Sequence, residues 1–168
     1  LFLSFQELSI EDWDHVFRSN LYPAFFIARQ AANILRKDKS AIVNVCSIHA
    51  LATSMNMSSY AASKGALLAL TRSLAIDLAP IGIRVNAVLP GAIDTPMLRQ
   101  SIRRFCTSSQ EEEQMIENCK SRTPLRRIGL PEEVAKSIYF LSDHDQSSFI
   151  TGSSLVVDGG AYSHLSTE

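Results

Sequence analysis

The chain has 168 residues, 46% of them hydrophobic and 20% charged, with a formal net charge of −1. That is enough for one domain with a packed core, and the near-neutral charge excludes a basic field directed at nucleic acid or an anionic membrane surface. Three cysteines without a CxxC pair argue against a disulfide framework, four histidines show no metal-ligand spacing, and no apolar run approaches the roughly 18 residues of a membrane span.

Ser9 or Asp12 can cap a helix starting near Ile10, Ser9 being followed three positions later by an acid. Trp13, Val16, Phe17, Leu21, Phe25, Ala28, Ala32 and Leu35 then recur at helical intervals, with Pro23 predicting a kink near Asn20. Ala41 to Cys46 is short, β-rich and mostly apolar, as a strand buried on both faces would be. A second helix is predicted over Ser58–Leu78, ending before Pro80, and a second buried strand over Ile83–Leu89, stopped by Pro90-Gly91.

From Pro96 to Gly129 the composition is polar and mixed, which predicts one helix carried on a long loop; Glu111-Glu112-Glu113 reads as a solvated helix face. Pro131 opens a third clear helix, PEEVAKSIYFLSD, with acids in its first turn. Ser153 to Val157 reads as a last strand, closed by Asp158-Gly159-Gly160. Strands alternating with helices imply an α/β fold with a parallel sheet, right-handed crossovers and helices on both faces.

In such a sheet ligands bind beyond the carboxyl ends of the strands. Ser47 lies at the end of the first strand and Pro90-Gly91 at the end of the second. Tyr60 and Lys64 stand at i and i+4 near the start of the second helix, so they share a face. A tyrosine titrates near 10, and a neighbouring ammonium is expected to lower that value. Ser47 can donate a hydrogen bond to a substrate oxygen and to the tyrosine. The three side chains then suit proton transfer between a carbonyl and an alcohol. A lone YxxxK is a common surface pair, Ser47 alone reads as a loop or cap residue, and Asn20 as a solvated side chain; it is the joint arrangement that points to chemistry.

The segments N-L-Y-P-A-F-F around Asn20, A-I-V-N-V-C-S at 41–47, Y-A-A-S-K at 60–64, R-V-N-A-V-L-P-G-A-I-D-T at 84–95 and D-G-G at 158–160, in this order, resemble the short-chain dehydrogenase/reductase family over nearly the whole chain. The resemblance implies a tetrad: Asn20 holding a relay water, Ser47 orienting the substrate oxygen, Tyr60 as acid/base, and Lys64 lowering the Tyr60 pKa while binding the nicotinamide ribose. It also implies that Pro90, Gly91, Ile93 and Thr95, with Tyr60 and Lys64, contact the nicotinamide end of NAD or NADP. Cys46 stands where the family often has the first serine of a pair, and Asn44, Asn86 and Asp158 match positions taken as structural.

One departure is large. The glycine-rich loop that brings a pyrophosphate to a helix N-terminus should precede all of this, yet none of the seven glycines falls before Gly65. The expectation is therefore a partial doubly wound parallel sheet of Rossmann type, lacking its amino-terminal strands, on the order of 80–100 residues at ~30 per βαβ unit. Residues 1–168 form a single partial NAD(P)-binding domain, with a substrate-loop region at 96–130. Two readings stay open. The chain is the carboxyl-terminal portion of an oxidoreductase acting on a small carbonyl or alcohol, or it is a short product without catalysis, serving as an interaction or dimerisation module. A bare strand edge and a first residue other than Met favour the former.

Met97, Leu98, Ile102, Phe105 and Met115 are candidates to line a substrate lid, or equally to pack on the body. The run P-L-R-R-I-G-L-P-E-E-V-A is similar to the group that contains 3-oxoacyl carrier reductases and sugar or steroid dehydrogenases. The family also implies association as a homodimer or homotetramer through the first long helix and the Ser58–Leu78 helix. Cysteine usage suggests a reducing intracellular compartment, the cytoplasm first, with an amino-terminal address left open. The terminal His-Leu-Ser-Thr-Glu is not a peroxisomal signal.

Overall fold

The structure, a computed structural model, describes residues 3–35 and 39–163. The opening Leu-Phe and the terminal His-Leu-Ser-Thr-Glu lie outside the described residues.

Helix α1 (Ile10–Asn20) starts where Ser9 caps it, the Ser9 hydroxyl accepting the Asp12 N–H at 3.0 Å. The single kinked helix expected from the apolar stripe is two helices. Leu21 (φ −105°, ψ −49°) separates α1 from α2 (Tyr22–Ile34), and Pro23 sits in the first turn of α2, where its missing N–H costs nothing. Strand β1 (Ser40–Val45) leads through Ser47 and a short 3-10 turn (Ile48–Ala50) to the long helix α3 (Ser58–Leu78). Strand β2 (Ile83–Pro90) follows.

Between β2 and the last strand lie α4 (Pro96–Arg103), α5 (Ser109–Ser121), α6 (Pro131–Ser142) and the one-turn α7 (His144–Ser147); β3 (Ser154–Val157) closes the sheet. The region expected to hold one helix thus holds two, α4 and α5. Both carry good starts: the Thr95 hydroxyl, just before Pro96, accepts the Leu98 N–H at 3.2 Å, and the Ser108 hydroxyl accepts the Glu111 N–H at 3.3 Å.

The sheet is parallel in the order β1-β2-β3, with Val45 opposite Val88 and Pro90 opposite Val157. Alternation along β2 divides the core. Ile83, Val85, Ala87 and Leu89 pack on α3 through Leu67, Leu68 and Ala75, joined by Leu21 and Ala24 of the amino-terminal helices. Val88 faces the other way, onto Val134 and Leu141 of α6, with Val43 of β1 beside it. The helix linking β1 to β2 and the main helix linking β2 to β3 therefore cover opposite faces of strands laid down in sequential order. Two such crossovers have opposite hands, so the expectation of right-handed connections does not hold for both. The rule describes a compact strand–helix–strand unit, whereas the second connection here carries four helices.

β2 is buried along its length, but β1 is only half-buried over residues 40–43, against the expectation of burial on both faces. The reason is lateral: among the described residues β1 has a strand on one side only. Polar residues of the sheet are spent on tying it together. Asn44 donates to Thr71 Oγ1 at 2.9 Å, holding β1 to α3. Asn86 donates to the Ile150 carbonyl at 2.8 Å and accepts the Ser153 N–H at 3.0 Å. Arg84 reaches the carbonyls of Leu141, Ser142 and Ile150, closing the carboxyl end of α6 with a cation.

Candidate active site

The carboxyl ends of β1 and β2 lie side by side, and the strand register sets Ser47 and Pro90 level with each other just past the Val45–Val88 pair. Ser47 is buried and extended (φ −167°, ψ 156°), and its hydroxyl accepts the His49 N–H at 3.2 Å, starting the 3-10 turn. That turn carries the chain back to the start of α3, where Tyr60 and Lys64 occupy successive turns.

Tyr60, Ser47 and Lys64 are brought together. The Ser47 hydroxyl stands near enough to the Tyr60 phenol to oppose the rise in its pKa, and the Lys64 ammonium lies 5.8 Å from the phenol ring centroid. Lys64 Nζ donates to the Val45 carbonyl at 2.9 Å, so the ammonium is anchored to the end of β1. The electrostatics differ from the sequence expectation. Burial raises the Tyr60 pKa above its ordinary 10, the Ser47 hydrogen bond opposes this, and the nearby Cys46 thiol adds to it. Lys64 is lowered from 10.5, again first by burial. Desolvation sets the direction of both shifts.

Asn20, the last residue of α1, does not touch the phenol. Its amide donates to Ser63 Oγ at 2.9 Å, and Ser63 in turn donates to the Tyr60 backbone carbonyl at 2.7 Å. Cys46 is buried, its N–H donating to Val88 O at 2.8 Å, and desolvation pushes its thiol up to about 11. A thiol so rarely ionised is no nucleophile.

The other strand end is a clasp. Gly91 N–H donates to Val157 O at 3.1 Å, and a Cβ on Gly91 would lie 2.7 Å from the Asp158 Cβ, so the P-G and D-G-G segments require each other. Asp158 accepts the N–H groups of Gly160 and Tyr162 at 2.8 and 2.6 Å. Ile93 bridges to Gly129, where Asp94 N–H donates to Gly129 O and Gly129 N–H to Ala92 O. Thr95 caps α4 through its hydroxyl oxygen, which leaves its own proton free to donate. An open cavity of about 530 Å³ lies against this segment, lined by Asp94, Thr95, Pro96, Arg99, Gln100 and Arg103. Arg99 forms a two-pronged ion pair with Asp94 at 2.7 and 2.8 Å. Of the apolar lid candidates, Ile102 is buried, Leu98 and Met115 are partly buried, and Met97 and Phe105 are exposed.

His49 has no sequence signature of its own. It stands two positions past Ser47, and its ring meets Tyr60 edge to face, centroids 5.7 Å apart at 78°. The spacing from Ser47 was the available signal. Among the described residues, no group of three or more His, Cys, Asp or Glu side chains gathers as a metal site, and no helix is long and apolar enough to cross a membrane.

Comparison with known proteins bears on this geometry. The family model described as Enoyl-(Acyl carrier protein) reductase matches residues 2–162. The chain is 39% identical over 156 residues to NADPH-dependent aldehyde reductase 1, chloroplastic, of Arabidopsis thaliana, covering 93% of this chain and 51% of that protein. The ligand-free aldohexose dehydrogenase of Thermoplasma acidophilum superposes with a TM-score of 0.92 at 33% identity, over 99% of this chain and 65% of that one. A 4-hydroxyisoleucine dehydrogenase complexed with NADH superposes with a TM-score of 0.79 at 31% identity, over 98% of this chain and 66% of that one. The chain spans about half the length of the curated relatives it matches.

Proposed function

Because this chain belongs to the short-chain dehydrogenase/reductase family, we propose that it acts as an NAD(P)-dependent oxidoreductase interconverting a carbonyl and an alcohol, with Tyr60 as the acid/base. The observation that carries this is the placing of Ser47 and the Lys64 ammonium beside a half-buried Tyr60 phenol.

The residues present fit the nicotinamide end of a dinucleotide. Lys64 has three donors and spends one on Val45 O, leaving two for ribose hydroxyls. Thr95 keeps a free hydroxyl proton at the mouth of the second strand. Pro90, Gly91 and Ile93 hold the intervening backbone in a fixed clasp, against which a flat ring can lie. When bound, the nicotinamide would supply hydride to a carbonyl carbon or accept it from an alcohol.

The protein's own part is proton transfer. Ser47 donates to the substrate oxygen and orients it beside the phenol. A Tyr60 pKa raised by burial keeps the phenol protonated at neutral pH, so the site is loaded as an acid, suited to reduction of a carbonyl. Asn20, fixed by Ser63, keeps its side-chain oxygen as an acceptor for a relay water. The matched relatives are named for an aldehyde, an aldohexose and cyclopentanol, which supports a small uncharged carbonyl or alcohol as substrate, admitted past the region 96–130.

Self-association is part of the proposal. Tyr22, Phe25, Phe26 and Ile27 of α2 are exposed, and with Leu21, Ala66 and Leu70 several of them line an apolar groove of about 290 Å³ between α2 and α3. That face supports a homodimer or homotetramer. It also supports the second reading, an interaction module without turnover.

Fluorescence titration of the chain with NADH and NADPH, followed by turnover assays with a panel of aldehydes and secondary alcohols, separates the two. Saturable binding with turnover supports the oxidoreductase. Association without dinucleotide binding leaves the interaction module.

A further inference from the structure

We infer that His49 is a positioning residue for Tyr60: its imidazole, tethered by Thr53, is the aromatic wall that sets the orientation of the phenol and keeps water from it. The inference rests on Tyr60 being the acid/base.

Three contacts place the ring. The His49 N–H is held by Ser47 Oγ at 3.2 Å, so the imidazole is carried by the same short turn that carries the serine of the site. Its Nδ1 lies 3.0 Å from Thr53 Oγ1, a bond that fixes the rotation of the ring. Its plane stands at 78° to Tyr60, with centroids 5.7 Å apart, the edge-to-face arrangement that aromatic pairs favour. One turn therefore brings both Ser47 and the imidazole to the phenol, the ring contact being His49's, while Lys64 lies on the tyrosine's own helix.

The groups facing Tyr60 are the Ser47 hydroxyl, the Cys46 thiol, the Lys64 ammonium and the His49 ring; those facing His49 are Tyr60 and Thr53. Burial lowers the His49 pKa below 6.5, so the ring is neutral where the enzyme would work and acts as a wall rather than as a second cation. Desolvation is the first cause of the raised Tyr60 pKa, and the ring packed on the phenol contributes to that desolvation. Opening this wall admits water, and the phenol then titrates nearer its ordinary value.

The test titrates Tyr60 directly. Phenolate absorbance against pH is recorded for the chain and for Tyr60→Phe, and the difference isolates Tyr60 from the other tyrosines. His49→Ala should move the Tyr60 midpoint down toward 10 and reduce kcat by about tenfold or more, as a misplaced group does, with NAD(P)H affinity within about twofold. His49→Phe, which keeps an aromatic wall, should retain the raised midpoint and most of kcat. Thr53→Val, which keeps the ring and removes its tether, should fall between them. An unmoved Tyr60 midpoint in His49→Ala overturns the inference, and so does a His49→Phe variant as impaired as His49→Ala. If the unsubstituted chain shows no turnover, the acid/base reading fails on its own account, while the phenolate titration still decides whether His49 shields Tyr60.

Discussion

Asn20 and Ser63 are joined by a 2.9 Å hydrogen bond, the Asn20 amide donating to the serine hydroxyl across 43 positions of sequence. The bond fixes the end of α1 to the first turns of α3, beside the Tyr60 carbonyl that accepts from the same serine. Asn20 thus has two separable tasks: bracing the two helices through its nitrogen, and offering its oxygen to a relay water.

A double-mutant cycle separates them. Asn20→Ala and Ser63→Ala should each destabilise by about 1 kcal/mol, with the double variant less than additive because they share one bond. Denaturant unfolding reads this. In turnover the two should part: Ser63→Ala retains most of kcat, and Asn20→Ala loses at least tenfold if the oxygen serves the relay. Equal losses in both would reduce Asn20 to a brace.

Tyr60 and Lys64 also separate. Tyr60→Phe removes the hydroxyl that transfers the proton and keeps the ring, so kcat should fall by roughly 10²–10⁴ while NADH or NADPH affinity is kept. Lys64→Met removes the ammonium anchored on Val45. It should weaken dinucleotide binding by about tenfold or more, the scale of hydrogen bonds made by a charged donor. Cofactor fluorescence and steady-state rates read the two losses independently. Retained turnover in Tyr60→Phe would remove it as the acid/base.

Much of this architecture is legible because local pattern and tertiary role agree. The buried strand β2, the start at Ser9, an interruption near Asn20 and the i, i+4 placement of Tyr60 and Lys64 follow from the residues themselves. Of the two helices in the region 96–129, the acidic run Glu111 to Glu113 marks the solvated face of α5, whereas α4 was hidden because it is eight residues long and buries only Ile102, too little for an apolar stripe. The opposite hands of the two crossovers depend on which face α6 covers, and nothing within Pro131–Ser142 encodes that. The direction of the Tyr60 shift was equally out of reach. It turns on how completely Ser47, His49 and Cys46 enclose the phenol, and the turn at Ile48–Ala50 brings that enclosure about.

Two glycines give opposite outcomes for one substitution. A Cβ at Gly91 would meet Asp158 Cβ at 2.7 Å and Cα at 2.9 Å, and backbone cannot step aside cheaply. Gly91→Ala should destabilise by about 1–3 kcal/mol and loosen the clasp between β2 and β3. A Cβ at Gly65, inside α3, meets nothing within 4 Å. Gly65→Ala should stabilise by roughly 0.5–1 kcal/mol through helix propensity alone. Thermal unfolding of the two variants side by side tests the contrast; a Gly91→Ala protein as stable as its parent would show that the clasp yields.

Glu133 ties the loop before α6 to its first turn. Its carboxylate accepts two bonds from Arg127, at 2.6 and 2.7 Å, and the Leu130 N–H at 2.8 Å. These donors, the Arg127 hydrogen bond first, hold its pKa down at about 2 instead of 4.5. A carboxylate with a depressed folded-state pKa contributes stability that is fully present above its unfolded value and lost as pH falls through the folded one. The window is therefore about pH 4.5 down to 2. Glu133→Gln keeps an acceptor for Leu130 N–H but removes the charge facing Arg127, so it should melt below the parent at pH 6. That gap should narrow steadily below about pH 4.5 and close near pH 2. Because both side chains are partly solvent-exposed, added salt should also shrink it. A gap that stays constant down to pH 2 would show that shape, and not ionisation, is what Glu133 supplies.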